Sequence, residues 1–101
     1  MTIYALSSGA GISGIAVVRV SGKDTAEVVK KLTREALPSP RVATLKKFNK
    51  IDTNELIDEG VIIWFPGPNS YTGEDLAELH VHGSRAVISA LHSTISRIKL
   101  I

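Results

Sequence analysis

The chain has 101 residues, of which 44% are apolar and 22% charged, and its 12 basic and 10 acidic side chains leave a net charge of +2. This composition favours one globular domain with a modest core and excludes a disordered polar chain. There is no cysteine, which excludes disulfides and thiolate metal sites, and no apolar stretch reaches the roughly 18 residues that a membrane-spanning helix needs.

The chain opens with two strand signals. Residues 2–7 predict a short strand, and the β-branched run at residues 15–20 predicts a second, well-buried strand. Residues 8–14 between them are rich in glycine and serine, which indicates a turn.

A helix signal follows the second strand. Ser21 and Asp24 stand at capping-box spacing, and small and apolar residues then recur at helical spacing, so we expect a helix that continues to about Leu37. Pro38 and Pro40 break it. The residues that carry the helical repeat are Ala26, Val29, Leu32 and Ala36.

The second half reads as three strands and a helix. Residues 41–48 alternate in part, residues 60–65 predict a strand buried on both faces, and residues 76–81 predict a third strand. Residues 49–58 are polar and turn-like, and residues 66–75 form a loop rich in proline and glycine.

The last helix is expected to begin after Ser84, which is a good N-terminal cap. Its core-facing stripe consists of Val87, Ile88, Leu91, Ile95 and Ile98. The predicted order is β-β-α-β-β-β-α, and the fold class is α+β: a mixed sheet of about five strands with two helices, in one domain over residues 1–101.

A glycine motif near the start points away from nucleotide binding. Residues 9–14 match G-x-G-x-x-G, but the dinucleotide fingerprint requires a helix that opens within the motif. A strand-like run follows here instead, so these glycines are interpreted as a turn between strands.

Arg19 interrupts an apolar strand and shares a face with Ile15 and Val17. Its guanidinium must reach solvent or find acceptors. One interpretation is an arginine that snorkels or pairs with a carboxylate; the other is an anchor for an anionic or heteroaromatic ligand.

Glu78, His80 and His82 share one face of the fifth strand, which raises the possibility of a metal site. Same-face neighbours on a strand lie roughly 7 Å apart, so the three converge on one ion only with favourable rotamers. A half-exposed polar face is the preferred interpretation. Glu78 alone is either a solvated carboxylate or an acceptor for the parallel N–H donors of a pterin or guanine edge.

The basic residues Lys30, Lys31, Arg34, Lys46 and Lys47 suggest a nucleic-acid patch, but Glu27 and Glu35 dilute it. A solvated surface is the simpler interpretation.

The end of the chain carries apolar residues without a helix stop signal. We therefore expect the chain to be a fragment of a longer domain.

Three blocks give the chain a family resemblance. They are Arg-x-Ser-Gly at residues 19–22, Pro-Gly-Pro-Asn-Ser-Tyr-Thr-Gly-Glu-Asp at residues 66–75, and Glu-Leu-x-x-His-Gly at residues 78–83. Together they resemble the N-terminal domain of the tRNA-modification GTPases called MnmE or TrmE, and the resemblance covers essentially the whole chain.

The resemblance implies a fold similar to the tetrahydrofolate-binding domain of aminomethyltransferases. It implies a homodimer and binding of 5-formyltetrahydrofolate or a related reduced folate as one-carbon donor. Arg19 and Glu78 fall on positions that look like the family's folate contacts. No catalytic residue and no metal ligand is expected in this chain.

The resemblance also implies a longer, cytoplasmic protein that uses GTP, Mg and K and modifies the wobble uridine of tRNA with the flavoprotein MnmG (GidA). No P-loop motif occurs in these residues, so the chain alone is not expected to hydrolyse GTP. The alternative is a dimerisation fragment without a working folate pocket.

Overall fold

A computed structural model describes the backbone of residues 3–6 and all of residues 14–70 and 72–98. The predicted turn at residues 8–14 lies outside this part except for Gly14. No helix among the described residues is both long and apolar enough to cross a membrane.

Within the described residues, five strands and two helices follow one another in the predicted order, β-β-α-β-β-β-α. They are β1 (Ile3–Leu6), β2 (Ile15–Ser21), α1 (Thr25–Thr33), β3 (Thr44–Asn49), β4 (Leu56–Phe65), β5 (Leu76–His82) and α2 (Arg85–Ser96). The strands form one sheet in the order β1-β2-β5-β4-β3. The α+β class is therefore confirmed.

The sequence predicts a mixed sheet of parallel and antiparallel strands, but the observed pairing is more uniform. All four pairs of neighbouring strands are antiparallel, and the described parallel pairing is an isolated bridge between Pro40 and Trp64. The reason is topological: α1 carries the chain from β2 to β3 at the far edge, and β5 then enters between β2 and β4, antiparallel to both.

One face of the sheet and both helices build the core. Alternate residues of β2, β4 and β5 turn towards the helices, as the period of two requires. The core cluster contains Ala16, Val18, Val20, Val28, Val29, Leu32, Phe48, Ile62, Trp64, Ala77, Leu79, Val81, Leu91, Ile95 and Ile98. The opposite side chains of β2 and β5 are thereby left on a face that neither helix covers.

Helix α1 is shorter than predicted at both ends. Ser21 belongs to β2, and the N-cap is Asp24, whose side chain makes no capping hydrogen bond. The helix ends because Arg34 adopts a left-handed conformation with φ of 57°, while its N–H still donates to the carbonyl of Lys30. Ala36 therefore lies outside the helix, although Leu37 still packs against the core.

Helix α2 begins as predicted. The Ser84 hydroxyl accepts a hydrogen bond from the backbone N–H of Val87 at 3.1 Å, which satisfies one of the free donors of the first turn. Leu91, Ile95 and Ile98 of the predicted stripe are buried, although Ile98 lies beyond the end of α2 at Ser96. Val87 and Ile88 pack at the edge of the core.

The hairpin of β3 and β4 differs most from the prediction. β3 begins at Thr44 rather than at Arg41, whose φ of 62° is incompatible with a strand. β4 begins at Leu56, so the predicted turn at residues 49–58 is reduced to its middle part. β4 is also buried chiefly on its core side, where Ile62 and Trp64 lie.

Gly60 allows β4 to approach β5 closely. A Cβ atom at this position would lie 2.1 Å from the carbonyl oxygen of His80 and 3.3 Å from the Phe48 ring. Backbone atoms cannot move aside without disturbing the ladder, so this position requires glycine.

We expect Gly60→Ala to lower the free energy of unfolding by about 3 kcal/mol, because the methyl group must displace β5 backbone. Urea unfolding measures the change. Gly14→Ala is the matched control, since nothing lies within 4 Å of a Cβ there. Equal stability of the two variants would contradict the close approach.

Candidate functional site

The face of the sheet opposite the helices, called the open face here, brings together the sequence-predicted site residues. In the β2–β5 register Arg19 lies opposite Glu78 and Val17 opposite His80. Across the next ladder, Glu78 lies opposite Ile63 and His80 opposite Val61. The polar side chains of Arg19, Glu78 and His80 thus lie in the middle of the sheet. The aliphatic side chains of the neighbouring strands flank them.

Arg19 and Glu78 form an ion pair across β2 and β5. The Nε of Arg19 donates to Oε2 of Glu78 at 3.0 Å, and its Nη2 lies 2.9 Å from the same oxygen. The Glu78 side chain is only 12% exposed, whereas that of Arg19 is 48% exposed. The guanidinium therefore compensates a largely desolvated carboxylate while keeping one side towards solvent.

His80 contacts the other oxygen of the same carboxylate. Its Nε2 lies 3.2 Å from Oε1 of Glu78. An ionised carboxylate only accepts hydrogen bonds, so Nε2 carries the proton in this contact. Glu78 is thus held from both sides, by Arg19 on one oxygen and by His80 on the other.

His82 makes a separate pair with Asp58 of β4. Its ring Nδ1 lies 2.9 and 3.0 Å from the two carboxylate oxygens, and its backbone N–H donates to Oδ2 at 2.9 Å. The Asp58 carboxylate therefore continues the contact between β4 and β5 beyond Val61, where the backbone ladder ends.

These contacts pair Glu78 with Arg19 and His80, whereas His82 pairs with Asp58. Within residues 14–70 and 72–98, no three histidine, aspartate or glutamate side chains gather as a metal ion would require. The arrangement is a polar face with two histidine–carboxylate pairs.

Hydrogen bonding holds Asp58 in its charged form. Burial opposes the charge and would raise the pKa, but the backbone N–H of His82, the His82 ring and the backbone of Glu59 outweigh burial. The pKa of Asp58 consequently lies below its ordinary value of 3.8.

Residues 66–75, called the connecting loop, reach the open face near Arg19. The Thr72 hydroxyl lies 2.9 Å from that of Ser21, which shares a face of β2 with Arg19. Asp75 ties both ends together: its carboxylate accepts from the N–H of Gly67 at 2.9 Å, and its carbonyl from that of Gly22 at 3.0 Å. The loop is therefore anchored beside the Arg19–Glu78 pair.

A shallow depression of about 280 Å³ lies further along the open face. Ile15 and Leu45 line it, with exposures of 63% and 64%, and His80 and His82 form its polar side. The combination of aliphatic walls with a few polar groups is typical of a binding surface.

The remaining sequence candidates have structural roles. Gly14 is followed by β2 rather than by a helix, which agrees with the rejection of a dinucleotide motif; the rest of that motif lies outside the described residues. Lys30 pairs with Glu27 at 3.2 Å and Lys46 with Glu35 at 3.4 Å. The suspected basic patch is thus interspersed with acids, as predicted.

Asp58 and the Ser21–Thr72 contact do not follow from the sequence patterns. The polar neighbours of Asp58 predict a turn, whereas the residue lies in β4. It stands three residues before the apolar run that begins at Val61, and this is the available signal for an earlier strand start. Ser21 was interpreted as a helix cap, and only the folded loop shows its partner.

Fold and site together define a small α+β domain with an arginine–glutamate pair on a sheet face that neither helix covers. The family described as GTP-binding protein TrmE N-terminus matches residues 2–100. The chain belongs to this family.

Several relatives are tRNA-modification proteins. The tRNA modification GTPase MnmE of Pelagibacter ubique (strain HTCC1062) is 74% identical over 99 residues, which are 98% of this chain and 22% of that protein. A mitochondrial 5-taurinomethyluridine tRNA synthase subunit of Danio rerio is 56% identical over 89% of this chain and 18% of its own. The MnmE of Zymomonas mobilis is 46% identical over 96% of this chain and 22% of its own. The chain thus spans about a fifth of the length of these relatives.

We expect Asp58→Asn to lower the free energy of unfolding at pH 7 by about 1–2 kcal/mol, because a charged acceptor of two N–H groups is lost. Its pH dependence gives a sharper result. A carboxyl whose folded pKa is depressed stabilises the fold above its unfolded pKa, and this stabilisation is lost as pH falls through the folded pKa.

The wild type should therefore lose stability as pH falls below the ordinary pKa of 3.8, and Asp58→Asn should lose less over the same range. Urea unfolding at a series of pH values measures both slopes. Asp52→Asn is the control, because Asp52 is 46% exposed and pairs with Arg97 on the surface. If the free energy of unfolding falls equally with pH in wild type and in Asp58→Asn, the pKa of Asp58 is not lowered in the folded protein.

Proposed function

We propose that this chain is the N-terminal domain of a tRNA wobble-uridine modification GTPase, and that it binds a reduced folate and mediates homodimerisation. The observation that carries the folate assignment is the pairing of Arg19 and Glu78 on the open face, with Glu78 nearly buried. Family membership and the names of the relatives support the wider assignment.

The chemistry of Glu78 supports a pterin-type ligand. A carboxylate oxygen accepts an N–H donor such as the amino or amide group of a pterin edge. The connecting loop borders the pair through Thr72 and Ser21, and aliphatic Val17 and Ile63 flank it, so a flat heteroaromatic ring has both apolar and polar contacts available.

The rest of the proposal concerns the longer protein. In it, a GTPase domain that uses GTP, Mg and K would act with the flavoprotein MnmG (GidA) on tRNA in the cytoplasm. The folate held by this domain would supply the one-carbon unit. These roles rest on the family, whose curated members are about five times as long as this chain.

Glu78→Gln should weaken binding of 5-formyltetrahydrofolate about tenfold or more, because hydrogen bonds to a charged acceptor contribute more than those to a neutral amide. Isothermal titration calorimetry measures the affinity. Glu27→Gln is the control, since Glu27 is an exposed glutamate of α1 that pairs with Lys30. Equal affinity for Glu78→Gln and wild type would remove Glu78 from the site.

A second candidate function is dimerisation without folate binding. Ile15 and Leu45 are among the most exposed large apolar side chains of the described residues, and both line the depression on the open face. Exposed apolar patches of this kind often mark a protein interface. If wild type is folded and dimeric but does not respond to folate, this candidate replaces the first.

The dimer proposal places the depression against a second copy of the chain. Leu45→Glu should then raise the dimer dissociation constant about tenfold or more, because a charge would be buried in the interface. Sedimentation velocity measures it. Leu56→Glu is the matched control: Leu56 is 51% exposed but lies outside the depression. An equal effect of both variants, or a monomeric wild type, would contradict this interface.

A further inference from the structure

The hydrogen-bond acceptors of Glu78 are unevenly used. Both contacting nitrogens of Arg19 approach Oε2, while Oε1 receives only Nε2 of His80 among the described residues. A carboxylate offers about four acceptor positions, two on each oxygen. Oε2 is therefore saturated by Arg19, and Oε1 keeps one position that a ligand N–H can use without displacing the arginine.

His80 is placed to control that position. Its side chain is 30% exposed and lies between Val17 and Val61 in the strand registers, so its ring is flanked by aliphatic groups. Its hydrogen bond at 3.2 Å is the described contact to Oε1. Without that contact, Arg19 alone would determine the orientation of the carboxylate.

The charged groups around His80 come from several strands. Glu78 and His82 lie on β5, Arg19 on β2 and Glu59 on β4. Lys47 of β3 stands opposite Glu59 in register. His82 is engaged by Asp58, so Glu78 is the carboxylate that a proton on His80 affects most directly.

We propose that His80 is a positioning residue for Glu78, which makes ligand binding on the open face dependent on pH. This inference rests on the proposed folate site. The neutral imidazole donates one ordinary hydrogen bond to Oε1 and leaves the second acceptor position for a ligand N–H. A second proton, on Nδ1, turns the contact into a charge-assisted bond to a cation, which neutralises charge on Oε1 and weakens the bond that this oxygen offers a ligand N–H.

The sign of the effect follows from this competition. Histidine is the side chain whose charge ordinarily changes between about pH 5 and pH 8. Protonation of His80 and ligand binding oppose each other, so by linkage the affinity falls when His80 gains its second proton. A glutamine at this position also offers an N–H donor but cannot gain a proton. The variant His80→Gln therefore keeps the positioning hydrogen bond and removes the change of charge.

The test titrates 5-formyltetrahydrofolate into wild type, His80→Gln and His80→Leu at pH 7.5 and pH 5.5, with urea unfolding as a check of the fold. Wild type should lose about fivefold more affinity at pH 5.5 than His80→Gln. His80→Gln should match wild type within about twofold at pH 7.5, and His80→Leu should bind about fivefold more weakly there. His82 and His92 are present in all three proteins, and the ligand is the same. Any effect of pH on these groups is therefore common to the three measurements and cancels when they are compared.

A measurement without ligand complements the titration. Long-range proton–nitrogen NMR of the wild type should show His80 with its proton on Nε2 at pH 7.5, and Glu78→Gln should change that signal. A proton on Nδ1 instead would overturn the inference even if His80→Leu does not fold.

The outcomes separate the inference from the proposed function. If wild type binds folate but His80→Gln keeps the full pH dependence, or His80→Leu binds as tightly as wild type at pH 7.5, the inference alone is overturned. If wild type is folded and binds no folate at either pH, the proposed folate site fails and the inference fails with it.

Discussion

The register between β2 and β5 is the constraint on which the rest of the structure depends. It pairs seven residues of each strand and places Arg19 opposite Glu78. A slip of one residue would turn Val18 and Val20 out of the core and carry Arg19 to the helix side, because side chains alternate along a strand. The same alternation that fills the core therefore aligns the charged pair on the other face, and neither can change without the other.

Stability alone does not account for this pair. A buried ion pair often contributes no more than well-packed apolar side chains of similar volume, since both charges must lose their hydration. Glu78 is nearly buried between strands that carry Val17 and Ile63, where an aliphatic residue would fit the surroundings. Arg19 is half-exposed and compensates the charge of Glu78 from the solvent side. The carboxylate is thereby left accessible from one direction. This arrangement of Arg19 and Glu78 is the structural observation on which the folate proposal rests.

Much of the architecture could be predicted from local sequence patterns, and the site only in part. Period-two alternation assigned the faces of β2 and β5, and Ser84 marked the start of α2. The end of α1 could not be predicted in this way, because Arg34 gives no composition signal for its left-handed conformation. The contact of Arg19 with Glu78 spans 59 positions of sequence, so it depends on which strands become neighbours. Local patterns contain no information about that choice.

The two histidines of β5 each contact a carboxylate, and they show how burial changes the role of similar chemistry. The His82 side chain is 74% exposed, so water and salt screen its attraction to Asp58 and the ion pair itself contributes little. The important contact there is the backbone N–H of His82, which Asp58 accepts beyond the end of the ladder. His80 is 30% exposed beside a carboxylate that is only 12% exposed, and screening is weaker. A proton on His80 therefore changes the electrostatic field at Glu78. The position of His82, in contrast, is fixed by its backbone hydrogen bond in either protonation state of the ring.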